Sequence, residues 1–184
     1  MFIVTGLGNI GREYENTPHN AGFLYIDTLR DILSEDRGLQ VSEWVDEKRM
    51  FLSEVCKIKK NGELVGILQK PLTYMNSSGS AISLLKKKFD FDEYILIHDD
   101  LDIPLGEYKI QFGKSPRGHK GVLSVEGILG NQFNRVRLGI ENRGGRSIPG
   151  DEYVLIPYSK KELAILSSVI EESVYVLIKE YLQL

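Results

Sequence analysis

Strand-like apolar runs alternate with helix-period segments along the whole of this chain, and that interleaving restricts it to an α/β architecture. "FIVT" opens a strand over 2–7, and after a polar loop a helix follows at about 20–34, where Phe23, Leu24, Ile26, Leu29, Ile32 and Leu33 recur with the helix period. "MFLSEVCKIKKNGELVGILQKP" then holds two strand-like runs on either side of Asn61-Gly62. A type I′ turn needs positive φ at both central positions, so this dipeptide predicts an antiparallel hairpin. "GSAISLLKKKF" reads as a helix capped by Ser77 or Ser78, with Lys86, Lys87 and Lys88 complementing the negative end of its dipole. Tyr94 to Ile97 is an apolar strand that ends in the acidic "HDDLD", and the strand-like "EYKIQF" follows. Next come a polar loop at 113–120, a helix at about 121–129, the strand "RVRLGI" and a mobile, glycine-rich loop, "ENRGGRSIPGD". A helix at about 160–182 closes the chain, with Leu163, Ile165, Leu166, Val169, Ile170, Val174, Leu177, Ile178 and Tyr181 on one face. With 184 residues the chain suits a single domain: a three-layer sandwich with a mixed, mostly parallel central sheet flanked by helices.

The glycines of "GLGNIG" follow the first strand at the G-x-G-x-x-G spacing of a dinucleotide-binding turn. That turn needs a helix starting on the third glycine and an acidic residue about 20 positions on, at the end of a second strand. After Gly11 comes "REYENTP", which has no helical periodicity, and Pro18 argues against a helix running through it. Asp27 and Asp31 stand at about the right distance, but on a helix face. The stretch therefore serves another purpose.

No apolar run approaches the roughly 20 residues that span a bilayer, and "MFIVTGLGN" lacks a basic n-region and a long h-region. Cys56 is the single cysteine, set in a strand-like run, so it reads as a packing residue in a reducing, cytoplasmic protein. The net charge of −3 argues against a general polyanion binder. Its distribution is uneven, however: Lys109, Lys114, Arg117, Lys120, Arg135, Arg137, Arg143 and Arg146 fall in one stretch with few carboxylates, which is open to facing phosphate locally or to serving solubility alone.

Ligands of open α/β sheets gather beyond the carboxyl ends of strands. Unusual polar sets follow such ends here: Asn9, Tyr14, His19 and Asn20; Tyr74, Met75 and Asn76; His98, Asp99, Asp100 and Asp102. A further polar loop adds His119 and Lys120. His19 paired with Asp99 would be a base of fixed tautomer whose imidazolium is stabilised when it takes a proton. Asn9 and Asn76 offer neutral amides able to hold a carbonyl and the oxyanion formed on attack. No covalent-nucleophile or zinc signature is present, which leaves water attacking an acyl carbon. Plainer readings stand beside these: a histidine after a helix-initiating proline is often a local hydrogen-bonding residue, an asparagine before "SSG" is often a turn residue, and "HDDLD" permits a divalent cation.

"GLGNIGREYENTPHNAGF", "KPLTYMNSSG", "HDDLDIPLG" and "RVRLGI" stand in the order and at the spacing of bacterial-type peptidyl-tRNA hydrolase. The resemblance runs to about Ile140 and more loosely through "GDEYVL" into the last helix. It implies hydrolysis of the ester between a peptide and the 3′ ribose of tRNA, with tRNA as partner, no cofactor, no metal and no membrane. By this likeness His19 activates water, Asp99 orients His19, and Asn9 and Asn76 hold the peptide and the oxyanion. Met75 lines the cleft, Tyr14 sits beside the scissile end, and Asn20, Tyr74 and Lys120 join the substrate-binding set. Lys109 and Arg137 match positions that contact tRNA phosphate, and a segment at about 142–155 resembles a mobile gate. The family's proline after the first-loop asparagine is Ile10 here, and its arginine before the histidine is Pro18. "KSPRGHKG" puts Lys120 where the family has an asparagine that binds the peptide backbone; lysine offers three donors and no acceptor. Lys120 would therefore reach a phosphate or place a cation near the oxyanion. The alternative is a non-catalytic RNA-binding or splicing-factor relative of the same fold, and a monomer is expected in either case.

Overall fold

The structure, a computed structural model, describes residues 1–114 and 118–184; Arg117 of the basic stretch lies outside the described residues. Strand β1 (Phe2–Gly6) leads through two short 3-10 turns, Arg12–Tyr14 and Pro18–Asn20, to helix α1 (Ala21–Ser34). Short strands β2 (Leu39–Val41) and β3 (Val45–Asp46) and the one-turn helix α2 (Lys48–Phe51) precede the hairpin of β4 (Ser53–Lys60) and β5 (Glu63–Pro71). Helix α3 (Ser78–Lys88), strands β6 (Glu93–Pro104) and β7 (Tyr108–Phe112), helix α4 (Lys120–Leu129) and strand β8 (Asn134–Glu141) follow, then helices α5 (Gly150–Tyr153) and α6 (Lys160–Leu177). A π-type turn over Ile178–Leu182 extends α6 to the boundary expected from its periodicity.

The sheet order is β2-β4-β5-β1-β6-β8-β7, with β3 also paired to β4. Its four central strands, β5, β1, β6 and β8, are parallel, whereas β4 joins β5, and β7 joins β8, in antiparallel fashion. Period-2 alternation sorts the side chains of the central strands onto two faces. Phe2, Val4, Leu68, Ile95, Ile97, Val136 and Leu138 pack against α1 and α6. Ile3, Ile67, Tyr94 and Leu96 pack against α3 and α4. Both faces are thus covered, giving the three layers that the interleaved pattern implied.

Several local expectations change. Strand β6 does not stop at Ile97 but runs to Pro104, so His98 and Asp99 lie within it, opposite Arg137 and Leu138 of β8. Ser77 occupies the N-cap position of α3 without a side-chain cap. Instead, Ser124 of α4 accepts the Gly79 N–H at 3.0 Å. Ile165 is exposed on α6, and Leu182 takes up the burial at the far end. Arg135 is fully buried, bound to Glu126 at 2.7 Å and stacked on Phe133, so the basic stretch is not one continuous surface.

Candidate active site

The first loop is placed by glycines. A Cβ on Gly22 would come within 2.4 Å of the Leu7 nitrogen and 2.7 Å of the Ile97 oxygen, and a Cβ on Gly6 within 2.2 Å of the Gly22 oxygen. Backbone at the start of α1 therefore rests directly on the end of β1, a contact that only residues without side chains allow. Gly8 packs under the Phe23 ring, and Gly11 adopts φ 118°. Each glycine of the G-x-G-x-x-G pattern has its own steric reason, and no helix begins at the third.

Asn20, 3% exposed, fixes the loop by gripping Asn9: its Oδ1 accepts the Asn9 N–H at 2.8 Å and its Nδ2 donates to the Asn9 carbonyl at 3.0 Å. The Asn9 side chain in turn accepts the Met75 N–H through Oδ1 at 2.9 Å. With its acceptor occupied, Asn9 keeps its Nδ2 donors for the cleft. Removing the Asn20 amide leaves two buried backbone groups of Asn9 unpaired. We expect Asn20→Ala to lose about 1–3 kcal/mol of stability in urea melts and to lower activity through a displaced Asn9.

Pro18 begins the 3-10 turn that carries His19, and the His19 N–H donates to the Val154 carbonyl at 3.0 Å. From that turn the His19 ring reaches Asp99, with Nδ1 3.0 and 3.1 Å from the two carboxylate oxygens. Asp99 is 2% exposed and His19 17%. A second imidazole meets the same carboxylate, with His119 Nε2 2.9 Å from Oδ1. His119 is also the N-cap of α4, and its Nδ1 accepts the Val122 N–H at 3.3 Å. An N–H can donate only to an unprotonated nitrogen, so the His119 proton sits on Nε2 and points at Asp99. Asp99 thus receives an N–H from each side, and the His19 proton on Nδ1 leaves a lone pair on Nε2. His98 completes the group: its ring centroid lies 5.1 Å from that of His119, and its Nδ1 donates to the Asp99 carbonyl at 2.8 Å. The chain's three histidines are therefore in one cluster.

Burial alone would lower the His19 pKa below its ordinary 6.5, but the Asp99 charge and hydrogen bond outweigh it and raise it; Lys120 acts against that rise. For Asp99, burial opposes ionisation, yet the two facing imidazoles hold the carboxyl well below the usual carboxylate range. Burial and then His119 depress His98, which stays neutral.

A cleft of about 380 Å³ opens over this group. Asn9, His19, Tyr74, Met75, Asn76, Asp99 and Lys120 line it. Tyr14 and Asn20 do not: Tyr14 sits on the preceding 3-10 turn, and the Asn20 amide is spent on Asn9, so it positions the site rather than facing a ligand. Lys109 and Arg137 lie opposite each other on β7 and β8, away from the lining. Lys109 is exposed, whereas Arg137 is 7% exposed, with Nε on Asp100 at 2.7 Å and a terminal nitrogen on Gln111 at 2.5 Å. A guanidinium so engaged presents little surface to phosphate. His119 is the site residue whose role sequence reasoning missed; only its place beside Lys120 in a polar loop drew notice.

Among the described residues, His19, Asp99 and His119 also form a possible metal-donor set. A metal on His119 Nε2 would displace the proton onto Nδ1, against the Val122 N–H, so the arrangement suits a hydrogen-bonded dyad better. Among the described residues no such donor set forms within "HDDLD" itself: Asp99 faces the histidines, Asp100 binds Arg137, and Asp102 is exposed.

A family model described as Peptidyl-tRNA hydrolase matches residues 3–183. The chain is 41% identical over 148 residues to the peptidyl-tRNA hydrolase of Campylobacter fetus subsp. fetus, covering 80% of this chain and 74% of that one. It is 38% identical over 180 residues to that of Aquifex aeolicus, covering 96% and 88%. Among solved structures, peptidyl-tRNA hydrolase from Acinetobacter baumannii superposes with a TM-score of 0.83 at 28% identity, covering all of this chain and 89% of that one.

Proposed function

The chain belongs to the peptidyl-tRNA hydrolase family, and from that premise we propose that it hydrolyses the ester joining a peptide, or an N-blocked aminoacyl group, to the 3′ ribose of tRNA. The observation that carries this reading is His19, backed by a buried carboxylate on Nδ1 and open to the cleft on its other side. Water hydrogen-bonded to His19 Nε2 attacks the acyl carbon as its proton passes to that nitrogen. Asp99 stabilises the imidazolium. Asn9 Nδ2 and the Asn76 amide donate to the carbonyl oxygen as it gains charge, with Met75 and Tyr74 forming the apolar wall beside them. Collapse of the tetrahedral intermediate breaks the bond to the ribose 3′ oxygen, which leaves with the proton from His19. A general base contributes about 10²–10⁴-fold and an oxyanion donor on the order of 10²–10³-fold, enough for an activated ester.

Lys109 is the exposed phosphate contact in this reading, and Arg137 acts on tRNA indirectly by bracing β7 and β8 through Gln111. The gate is narrower than residues 142–155. Tyr153 and Val154 are buried, and the Tyr153 hydroxyl donates to the Ile140 carbonyl, so movement belongs to the exposed stretch around Gly144 and Gly145. Among the described residues no helix is long and apolar enough to cross a membrane. Both faces of the sheet are covered, and we read the protein as a cytoplasmic monomer, to be checked by light scattering. A non-catalytic RNA-binding role has no use for the His19–Asp99 pair, and the relatives found are named as hydrolases.

The test is release of free tRNA from N-blocked aminoacyl-tRNA with a chelator present. Its pH dependence is also fixed in sign. The base works when neutral, so kcat/KM falls as pH drops through the His19 pKa, which Asp99 raises above 6.5. The acid limb should therefore lie above that of an ordinary histidine; a limb at or below 6.5 would count against His19 as the base.

A further inference from the structure

Among the described residues Lys120 is the one lysine or arginine lining the cleft, and the mechanism does not use its charge. It is exposed at the first position of α4, and among the described residues no carboxylate pairs with its ammonium, although Asp102 and Asp151 line the same cleft. The placement is locally unfavourable. A helix N-terminus carries partial positive charge, and the first turn of α4 has no acidic residue to offset an added cation. The dipole of that end and the ammonium both favour an anion in the same place.

Around the scissile ester, two anionic groups come into question: the transient oxyanion and the backbone phosphodiester on the 5′ side of the terminal ribose. An oxyanion donor must be held in place before the reaction. Asn9 is so held by Asn20 and Met75, whereas the Lys120 ammonium is exposed and, among the described residues, has no hydrogen bond to fix it. A hydrated point charge on a flexible stem suits a phosphate.

We propose that Lys120 is a specificity-determining contact for the terminal phosphodiester of the tRNA 3′ strand, and that the cleft thereby selects nucleic-acid esters over bare acyl esters. This rests on the hydrolase reading. A phosphate contact is the same in ground and transition states, so its loss should appear in KM and leave kcat little changed.

The experiment compares the native protein with Lys120→Asn, Lys120→Gln and Lys120→Arg, well above the acid limb, at several salt concentrations. The two neutral variants should raise KM for N-blocked aminoacyl-tRNA about tenfold, with Lys120→Arg recovering most of the loss. Each neutralised phosphate of a single strand contributes about 0.7 to the slope of log affinity against log salt, so the neutral variants should be shallower by about that amount. Their deficit should shrink on an N-blocked aminoacyl-adenosine, which lacks the phosphate. Loss confined to kcat, or an equal deficit on the adenosine ester, would overturn the proposal in favour of an oxyanion contact. Unaltered KM and slope would overturn it outright. Binding of unacylated tRNA, read by anisotropy, separates this from the parent reading. A Lys120-dependent slope in a protein that cleaves nothing sinks the hydrolase reading alone, and a Lys120-independent slope in an active enzyme sinks only this one.

Discussion

His19→Ala releases tRNA from N-blocked aminoacyl-tRNA about 10²–10⁴ times more slowly than the native protein, the range expected when a general base is removed. The loss is chemical rather than structural. The tie from this turn to α5 is a backbone bond, His19 N–H to the Val154 carbonyl, which alanine retains, and the His19 ring is partly exposed at the cleft floor. Thermal melts and tRNA binding should therefore stay close to native while kcat collapses. The residual rate reflects Asn9 and Asn76, whose amides do not depend on the imidazole. Turnover within a few-fold of native would remove His19 from the mechanism and leave the cleft without a base.

Asp99→Asn is the more diagnostic substitution because it changes no volume. The native carboxylate accepts one N–H from His19 Nδ1 and another from His119 Nε2. An amide has one oxygen for these two donors, and its NH₂ group would face a like hydrogen. His119 cannot adjust, since the Val122 N–H holds the proton off its Nδ1. His19 can: by moving its proton to Nε2 it accepts from the amide, but the lone pair aimed at the cleft is then lost. Such a wrong-tautomer base costs on the order of 10⁴-fold in kcat. Nitrogen-15 spectra of labelled histidine should show the His19 proton on Nε2. A variant that keeps both native activity and the Nδ1–H tautomer would refute the dyad.

Features written in adjacent residues were legible in the sequence. Asn61 and Gly62 take φ of 54° and 84°, as their hairpin turn demands. The alternation within "FIVT" and "YILI" sorts the two helical layers. What depends on distant partners was not legible. Strand β6 looked finished at Ile97 because polar residues followed, yet β8 pairs with His98 and Asp99, and the side chains of His19 and His119 satisfy the Asp99 carboxylate. His19 and Asp99 could be matched as base and carboxylate by type, but nothing in the spacing says that His119, 20 positions on, reaches the same carboxylate. Charge alone also misled. Arg135 and Arg137 seemed to belong to a phosphate-facing stretch, and their burial against Glu126 and Asp100 depends on which side of β8 they occupy.

The clasp of Asn20 on Asn9 also bears on which changes the first loop can absorb. It joins both backbone groups of one residue to one side chain eleven positions away, so the segment between is a closed ring whose ends do not depend on its contents. Inside the ring Gly11, with φ 118°, and His19 are held to their roles, whereas Ile10 and Pro18, the two departures from the pattern this loop resembles, leave the clasp intact. The rim of the first loop can then be altered at such positions without rebuilding its floor.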